Sequence, residues 1–431
     1  MSATGPRVLI IGAGIGGLCL AQGLHQAGVP VAVYERDQAP DARLQGYRLN
    51  IEPMGSHALH DCLPGQLWDL LVRTAGDPGP GMNVFTERMR HLMREPGQSS
   101  PDPVKGAHAV SRATLRRILL AGLGDIVTFG KEFTSYDRGG DQVTARFVDG
   151  TTAAGTVLVG ADGARSRVRR QLLPQARVIT TGGLGIGGKL TLDEQATRWL
   201  PEPLALSKNM ILPHQDFLFT AAFRRRINPA TDAGDLSDRL AEAGIDAAAA
   251  LREATEPDYV MWAYVTSGRH QRAISPAGQG AALQTAVATG IGAWDPVLRR
   301  LITESDPATV SPFEFTAALP VRPWRDGHVT LLGDAIHQMP PVGGIGGNIA
   351  LCDARDLCQA LTAVHAGRQQ PADALAGYED QMLSRGFAAV RSSRRYLTLA
   401  ISGNPALRRT ARGFFRLCGA VPPLRQAVFA D

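Results

Sequence analysis

The sequence predicts an α/β fold with a parallel-sheet domain, a mixed antiparallel β-sheet domain and C-terminal helices. Three observations indicate this fold. Short β-branched runs that end in glycine turns recur near the beginning, the middle and the later part of the chain, as expected of buried parallel strands. Residues 178–269 contain stretches of alternating apolar residues, which are typical of antiparallel strands. The last ~65 residues have helical apolar spacing and no strand signals.

Composition and charge exclude several function classes. The chain has 431 residues, of which 44% are hydrophobic and 20% charged, so a large core is expected and disorder is not. The formal net charge of +5 is too weak to indicate a nucleic-acid partner. Five cysteines without metal-ligand spacing predict no metal site. With neither a signal peptide nor an apolar run of ~18 residues, we expect a cytoplasmic protein without a membrane span.

The first strand and its turn lie in "RVLIIGAGIGG", residues Arg7–Gly17. The run Val8–Ile11 predicts a central parallel strand, which leads into a G-x-G-x-x-G motif. In such a motif Gly12 allows a tight turn, Gly14 lets a pyrophosphate approach the backbone, and Gly17 lets the helix pack on the sheet. The motif therefore predicts a dinucleotide-binding turn.

The surroundings of this motif strengthen the prediction. A helix through "LCLAQGLHQAG" ends at Gly28, and the strand "VPVAVYER" then brings Glu35 and Arg36 to its end. Glu35 follows Gly14 by 21 residues, close to the ~20 expected of an acid that binds a ribose hydroxyl. These features predict a Rossmann-type domain for NAD or FAD, although the motif alone does not choose between them.

Two later segments, in which a buried strand ends in a glycine-containing turn, add polar groups at strand ends. We call such a strand end with its turn a corner. "VLVGADGARSRVRR" runs from a buried strand into Asp162-Gly163, and "HVTLLGDAIHQMPPVGGIGGNIALCDARDL" runs into Gly333-Asp334 and a helix that begins near Asn348. A carboxylate at the carboxyl end of a strand can accept hydrogen bonds from a polyol such as ribityl. The glycine-preceded helix offers free N–H groups and a positive dipole to an anionic ring.

With these three motifs in this order, the chain resembles the class A flavin monooxygenases, the aromatic-hydroxylase family typified by para-hydroxybenzoate hydroxylase. The resemblance covers roughly Arg7–Leu361. It implies bound FAD, transient NADPH or NADH as reductant, and O₂ as co-substrate. The implied reaction inserts one oxygen atom from O₂ into an apolar or aromatic small molecule, by hydroxylation or epoxidation through the flavin C4a-hydroperoxide. We expect a bulky natural product as substrate.

The resemblance also implies where FAD binds. The pyrophosphate is expected at the glycine turn, the ribose at Glu35, the ribityl chain at Asp334 and the ring at residues 344–348. The complete set of implied cofactor-binding residues is Gly12, Gly14, Ile15, Gly16, Gly17, Glu35, Arg36, Arg48, Arg112, Asp162, Gly163, Asp334, Gly344, Gly346, Gly347 and Asn348. Arg43 competes with Arg48, because the intervening loop varies in length. Ile345 stands where the family often has Gln, so no side-chain role is expected there.

The whole chain is expected to divide into three parts. Residues 1–177 and 270–365 form the FAD-binding domain, 178–269 the substrate-binding sheet, and 366–431 the C-terminal helical segment. The Pro/Gly/Ser-rich tract 76–106 predicts a loop with one short strand at Asn83–Thr86, and residues 236–254 predict a helix. "GLGIGG" at Gly183–Gly188 lacks a preceding buried strand, so it predicts a glycine-rich strand and not a second nucleotide turn.

Several side chains remain open to two interpretations. The candidates for lining a substrate pocket are Met210, Leu212, Phe217, Phe219, Trp262, Tyr264 and Pro341, and the alternative for each is plain sheet core. His337 is the nearest candidate general base for a phenolic substrate, although a loop-supporting hydrogen bond is favoured. Arg408, Arg412 and Arg416 fall four apart, which favours a solvated face over a membrane or nucleic-acid surface.

Two other classes of function compete with monooxygenation. A halogenase, a double-bond reductase or a cyclase can use the same scaffold, although the tryptophan-halogenase signature WxWxI is absent and "MWAYV" is its nearest approach. A flavin-binding protein without enzymatic activity is disfavoured by the complete set of flavin motifs.

Overall fold

The computed structural model describes residues 7–40, 42, 48–97, 100–226, 229–246, 257–267 and 279–429. In chain order the strands are β1 (Val8–Ile11), β2 (Val31–Tyr34), β3 (Leu49–Ile51), β4 (Gly81–Phe85), β5 (His91–Pro96), β6 (His108–Val110), β7 (Val127–Thr128), β8 (Phe133–Gly139), β9 (Gln142–Phe147), β10 (Thr152–Gly155), β11 (Val157–Gly160), β12 (Val178–Thr191), β13 (Lys208–Ile211), β14 (Phe217–Phe223), β15 (Tyr259–Ser267), β16 (Ser311–Ala318) and β17 (Val329–Leu331).

The α-helices in chain order are α1 (Ile15–Gln26), α2 (Pro53–Cys62), α3 (Gly65–Thr74), α4 (Arg112–Leu120), α5 (Arg167–Leu172), α6 (Glu194–Trp199), α7 (Glu202–Leu206), α8 (Pro229–Glu242), α9 (Ala281–Gly290), α10 (Pro296–Thr303), α11 (Asp334–His337), α12 (Gly346–His365), α13 (Pro371–Ala400), α14 (Pro405–Ala420) and α15 (Pro422–Phe429). Within the described ranges, no helix combines the length and apolarity needed to cross a bilayer.

A parallel sheet with the order β17-β11-β1-β2-β7 forms the first layer. Its central strand β1 is buried at every residue because α1, which packs on α2 and α12, covers it. The strands predicted at the three glycine corners are confirmed as β1, β11 and β17. Since parallel strands end at the same edge, the turns after Ile11, Tyr34, Gly160 and Leu331 meet there. We call this edge the carboxyl edge.

A larger mixed sheet has the order β16-β12-β15-β14-β13-β4-β5, with only β13 and β4 parallel among its described neighbours. It therefore takes β4, β5 and β16 from outside residues 178–269. The short strand predicted at Asn83–Thr86 is confirmed as part of β4, but the prediction of a loop over the rest of the tract 76–106 is wrong for β5. Gly81 and Pro96 lie at the strand ends, where they leave the pairing with β13 intact, so tertiary pairing overrides local composition.

The glycine-rich segment at residues 183–188 is confirmed as part of strand β12. A Cβ added at Gly185 would lie 2.2 Å from the ring of Phe313 on the neighbouring strand. Glycine at this position lets the aromatic ring cross the backbone, and a larger residue would displace the ring.

The C-terminal segment is confirmed as helical, but the solvated face expected for its arginine stripe is wrong for two of three residues. Arg408 is 3% exposed and donates through Nη2 to the carbonyl of Asp216 at 2.8 Å. Arg412 donates through Nε to the carbonyl of Leu212 at 2.9 Å, while Arg416 is exposed. The first two arginines thus fasten α14 to the large sheet.

The helix expected at residues 236–254 begins earlier, since α8 runs from Pro229 to Glu242. Residues 247–254 lie outside the described part of the chain.

Candidate active site

The glycine turn after β1 lies against the turn after β11. Gly12 has φ +107°, and a Cβ added there would lie 2.5 Å from the carbonyl oxygen of Ala161. A Cβ at Gly17 would lie 2.2 Å from the carbonyl oxygen of Gly12. Only glycine therefore fits at these two positions. By contrast, a Cβ at Gly14 would meet no atom within 4 Å, so the backbone of this turn is open to a ligand there.

Glu35 supports this turn from the end of β2. The side chain is 7% exposed, and its Oε2 accepts a hydrogen bond from the amide of Ala13 at 2.7 Å. Its Oε1 accepts from the amide of Asp37 at 3.0 Å. A carboxylate has about four acceptor sites, so capacity remains for a ribose hydroxyl. Arg36, the next residue, is exposed.

Helix α4 brings two arginines to the carboxyl edge, and sequence reasoning named only one of them. Arg116 donates through Nη1 to the carbonyl of Ala13 at 2.6 Å and through Nε to the carbonyl of Pro40 at 3.2 Å. Arg112 lies one turn earlier and is exposed. The spacing of four residues on one helix, which places both side chains on one face, is the signal that could have identified Arg116.

The corner after β17 packs directly on the glycine turn. A Cβ added at Gly16 would lie 2.8 Å from Cδ1 of Leu332 and 3.4 Å from Cβ of Ala350 in α12. A Cβ at Gly347 would lie 3.3 Å from Cδ1 of Ile15. The dinucleotide turn, the Asp334 corner and the start of α12 are therefore brought together at one place.

Asp334 offers a free acceptor at this place. Its side chain is exposed, and its carboxylate accepts no hydrogen bond from any residue that the structure describes. The surrounding protein raises the pKa of Asp334 by desolvation, and the positive charges of His337, Arg112 and Arg169 partly offset that rise. The carboxylate can thus accept hydroxyl hydrogen bonds, as a ribityl chain requires.

Asp162 occupies the third corner, beside Gly12. Its Oδ2 accepts from the amides of Arg167 and Val168 at 2.6 and 3.3 Å, so it holds the start of α5. Its Oδ1 is buried and has no partner among the described residues, and burial raises the pKa of this carboxyl. Because a buried acceptor without a partner is unfavourable, this oxygen is available to a ligand. Gly163 follows with φ +73°.

The loop before α12 leaves backbone donors available. Gly344 has φ +67°, and a Cβ there would meet no atom within 4 Å. No side chain caps α12, whose first turn contains Gly346 and Gly347, so its N–H groups can meet an anionic ring edge. The Asn348 side chain is already engaged, since it accepts from the Glu52 amide at 2.8 Å and donates to the Asn50 carbonyl at 2.9 Å.

His337 supports the Asp334 corner from below. Its Nε2 lies 2.5 Å from Oδ2 of Asp353, and both side chains are 0% exposed. The same oxygen accepts from the amide of Gly333 at 3.0 Å, and Arg385 contacts the other carboxylate oxygen at 2.9 Å. Burial lowers the pKa of His337, but Asp353 outweighs it and the net pKa is raised. This geometry agrees with the loop-supporting alternative, because the ring is fully buried and paired with Asp353. Sequence reasoning identified neither Asp353 nor Arg385.

Arg48 lies between β3 and the large sheet. It is buried, and it donates to the carbonyl of Ala222 and, at 3.3 Å, to Oδ1 of Asn50. Burial lowers the pKa of Arg48 to about 10. Arg43 lies outside the described residues.

The pocket candidates divide between the two sides of the large sheet. Met210 and Phe219 are paired across strands and partly exposed, and they belong to the same apolar cluster as Val342 of the loop before α12. We call this side of the sheet the loop-facing side. Phe217 and Leu212 share that cluster but are buried. Pro341, in the loop itself, is exposed.

The prediction of a pocket position for Trp262 and Tyr264 is wrong, because they lie on the opposite side, under α9 and α10. Trp262 donates to Oγ of Ser305 at 2.8 Å, and the hydroxyl of Tyr264 donates to Asp216 at 2.6 Å. The strand residues that alternate with them, Met261 and Ala263, are partly exposed on the loop-facing side. The alternation of side chains along a strand determines which residues share a side of the sheet. It does not determine which side faces the loop before α12.

The comparisons with known proteins agree with this geometry. The family model described as FAD binding domain matches residues 6–186 and 293–393. The dual O-methyltransferase/FAD-dependent monooxygenase elcB of Phaeosphaeria nodorum is 30% identical over 429 residues, covering 90% of this chain and 45% of its own length. This chain thus spans about half the length of that relative.

Two further proteins match along most of their length. The FAD-dependent monooxygenase phnB of Penicillium herquei is 29% identical over 400 residues, covering 91% of this chain and 90% of the relative. A solved structure from Photorhabdus luminescens subsp. laumondii TTO1, named for an FAD-containing monooxygenase, is 32% identical with a TM-score of 0.79. The match covers 92% of this chain and 98% of the chain in that structure.

Proposed function

This chain belongs to the FAD binding domain family that FAD-dependent monooxygenases share, and from that premise we propose that it is an NAD(P)H-driven monooxygenase. It inserts one oxygen atom from O₂ into an apolar or aromatic small molecule. The observation that carries the proposal is the contact between three corners, at Gly12–Gly17, Asp162 and Leu332–Asp334, and the uncapped start of α12.

The residues at the carboxyl edge fit the parts of FAD. The open backbone at Gly14 accommodates a pyrophosphate, Glu35 accepts from the ribose, and Asp334 accepts from the ribityl hydroxyls. Arg112, which lies close enough to lower the pKa of Asp334, adds positive charge for the phosphates. The N–H groups of Gly346 and Gly347, which no side chain caps, would be available to the ring edge. FAD, when bound and reduced by NADPH or NADH, supplies the activation of O₂.

The substrate lies on the loop-facing side of the large sheet. Met210, Phe219 and Met261 are partly exposed there, whereas the residues that alternate with them are buried. Apolar side chains at this position bind flat ring systems and exclude water from the reacting centre. The chain's own contribution is therefore to hold the substrate, to keep the site dry and to stabilise negative charge at the start of α12.

The test uses the purified protein with its bound flavin. We expect yellow protein that oxidises NADPH or NADH faster when a fused-ring phenol is present, and a product that gains one mass-shifted oxygen under ¹⁸O₂ but none in H₂¹⁸O. A turned-over product without ¹⁸O from O₂ would assign the chain to non-oxygenating flavoenzymes such as a halogenase, a double-bond reductase or a cyclase. Protein that stays colourless with added FAD would contradict the flavin site itself.

A further inference from the structure

Lys208 places a positive charge on the apolar loop-facing side. It is the first residue of β13, where it pairs with Ala221 on one neighbouring strand and Met82 on the other. Met210, two residues along the same strand, shares its side of the sheet because strand side chains alternate. The side chain of Lys208 is half-buried, so its charge lies beside the proposed substrate surface.

The ammonium of Lys208 has no hydrogen bond or ion pair with any residue in the described ranges. Three charged groups surround it at longer range: Glu52 and Glu95, which are negative, and Arg48, which is positive. Two of them already have partners, since Glu52 accepts from Asn50 and Arg48 donates to the Ala222 carbonyl. The three donors of the ammonium are therefore available to a ligand.

Glu52 connects the surroundings of Lys208 with the start of α12. The Glu52 residue that influences Lys208 is tied through its backbone amide to Asn348 in the first turn of α12, at 2.8 Å. Through Glu52, the electrostatic surroundings of Lys208 therefore connect the apolar surface with the first turn of α12. A substrate that covers Met210 and Phe219 would bring its polar edge to Lys208.

We propose that Lys208 binds an anionic oxygen of the substrate. This oxygen belongs to a carboxylate, or to the enolate of an acidic enol, on an aromatic ring system. This inference rests on the proposed function, because it takes the loop-facing side as the substrate surface. An ammonium without another partner can form a strong charge-assisted hydrogen bond with an anionic oxygen. Desolvation lowers the pKa of Lys208, and a bound anion would favour its charged form again.

A structural role is the competing explanation, in which Lys208 only balances Glu52 and Glu95. The two explanations differ in one measurable property. A structural charge would leave the discrimination between charged and neutral ligands unchanged when it is removed, whereas a ligand-binding charge would not.

The experiment measures ligand binding to the oxidised, FAD-loaded protein by titration calorimetry at pH 7.5. The probes are two pairs: 2-naphthoate with 2-naphthamide, and 2-hydroxy-1,4-naphthoquinone, an acidic enol, with its methyl ether. We expect at least one anionic member to bind about 10-fold more tightly than its neutral partner, equivalent to about 1.4 kcal/mol. The pair that shows the preference distinguishes a carboxylate from an enolate.

Lys208→Met should reduce this preference to less than about 2-fold while FAD content stays unchanged. Lys208→Gln, which retains polarity, should have the same effect and replaces the first variant if that one does not fold. Lys189→Met is the matched control. Lys189 lies in the same cross-strand row, through Met261 and Ala221, about 14 Å away at three strand spacings, and its removal should preserve the preference.

Equal affinity for charged and neutral partners in the unmodified protein would overturn the assignment, and so would the failure of all four probes to bind. A preference that survives in both Lys208 variants would overturn it as well. The ¹⁸O₂ experiment keeps this result separate from the proposed function. If the product contains no ¹⁸O but the preference for anionic ligands depends on Lys208, only the proposed reaction is refuted. If the product contains ¹⁸O but no such preference is found, only the role of Lys208 is refuted.

Discussion

The carboxyl edge and the loop-facing side form their surfaces from different parts of the chain. At the carboxyl edge the surface is backbone, since Gly12 and Gly17 allow main chain to approach main chain and α12 begins without a side-chain cap. On the loop-facing side it is made by side chains such as Met210 and Phe219. A backbone surface accepts few substitutions, whereas a side-chain surface can change its ligand one residue at a time. The first suits a fixed cofactor and the second a variable substrate.

The largest expected effect comes from Gly12→Ala at the carboxyl edge. The added Cβ would lie 2.5 Å from the Ala161 carbonyl oxygen, at a backbone conformation with φ +107°. We expect the free energy of unfolding to fall by more than about 2 kcal/mol and the purified protein to lack FAD, measured by denaturant unfolding and the flavin absorbance.

Gly14→Ala is the matched control for that variant, because its Cβ meets no protein atom within 4 Å. It should have the same free energy of unfolding as the unmodified protein. Any loss of FAD affinity should come only from contact between the added methyl group and the pyrophosphate. Equal losses of stability in both variants would show that the turn is generally intolerant and not specifically close-packed at Gly12.

The next effect in size is the loss of FAD affinity in Asp334→Ala. The carboxylate is exposed and accepts nothing from the described residues, so its removal should cost binding and not folding. Hydrogen bonds to charged groups contribute about 1.5–3 kcal/mol, so the dissociation constant for FAD, measured by equilibrium titration, should increase by about 10- to 150-fold. Unchanged affinity would contradict the ribityl position. Asp141→Ala, which removes an exposed carboxylate in the turn between β8 and β9, serves as control.

These two regions also differ in how far the sequence could predict them. The strands, turns and glycines of the carboxyl edge were predictable because their roles depend on spacing, which is visible in one sequence. Arg116 and Asp353 were not, because each acts across a long separation in the chain. On the large sheet, alternation showed which residues share a side, but it could not decide between a pocket position and plain sheet core for Trp262 and Tyr264. Only the position of α9 and α10 decides which side is covered.

A smaller effect is expected on the loop-facing side. It sharpens the contrast between the two sides of the large sheet. Phe219→Ala removes a partly exposed ring, so we expect about 10-fold weaker binding of fused-ring ligands with FAD content unchanged, measured by calorimetry. Trp262→Phe, on the side covered by α9 and α10, should instead lower the free energy of unfolding by about 1–3 kcal/mol, because the buried Ser305 hydroxyl loses the hydrogen bond that it accepts from the indole N–H. Ligand affinity should stay the same, and a loss of affinity comparable to that of Phe219→Ala would mean that both faces contribute to the pocket.

The smallest expected effect is a pH dependence confined to the support beneath the carboxyl edge. The pKa of His337 is raised in the folded protein, chiefly by Asp353 acting against burial, so protonation of this residue stabilises the fold. That contribution is complete below its ordinary pKa of about 6.5 and is lost as pH rises through the raised value. His337→Gln should therefore lower the Tm by a few degrees at pH 6 and by progressively less towards pH 9. A difference in Tm that is constant across this range would mean that His337 contributes through packing and not through its charge.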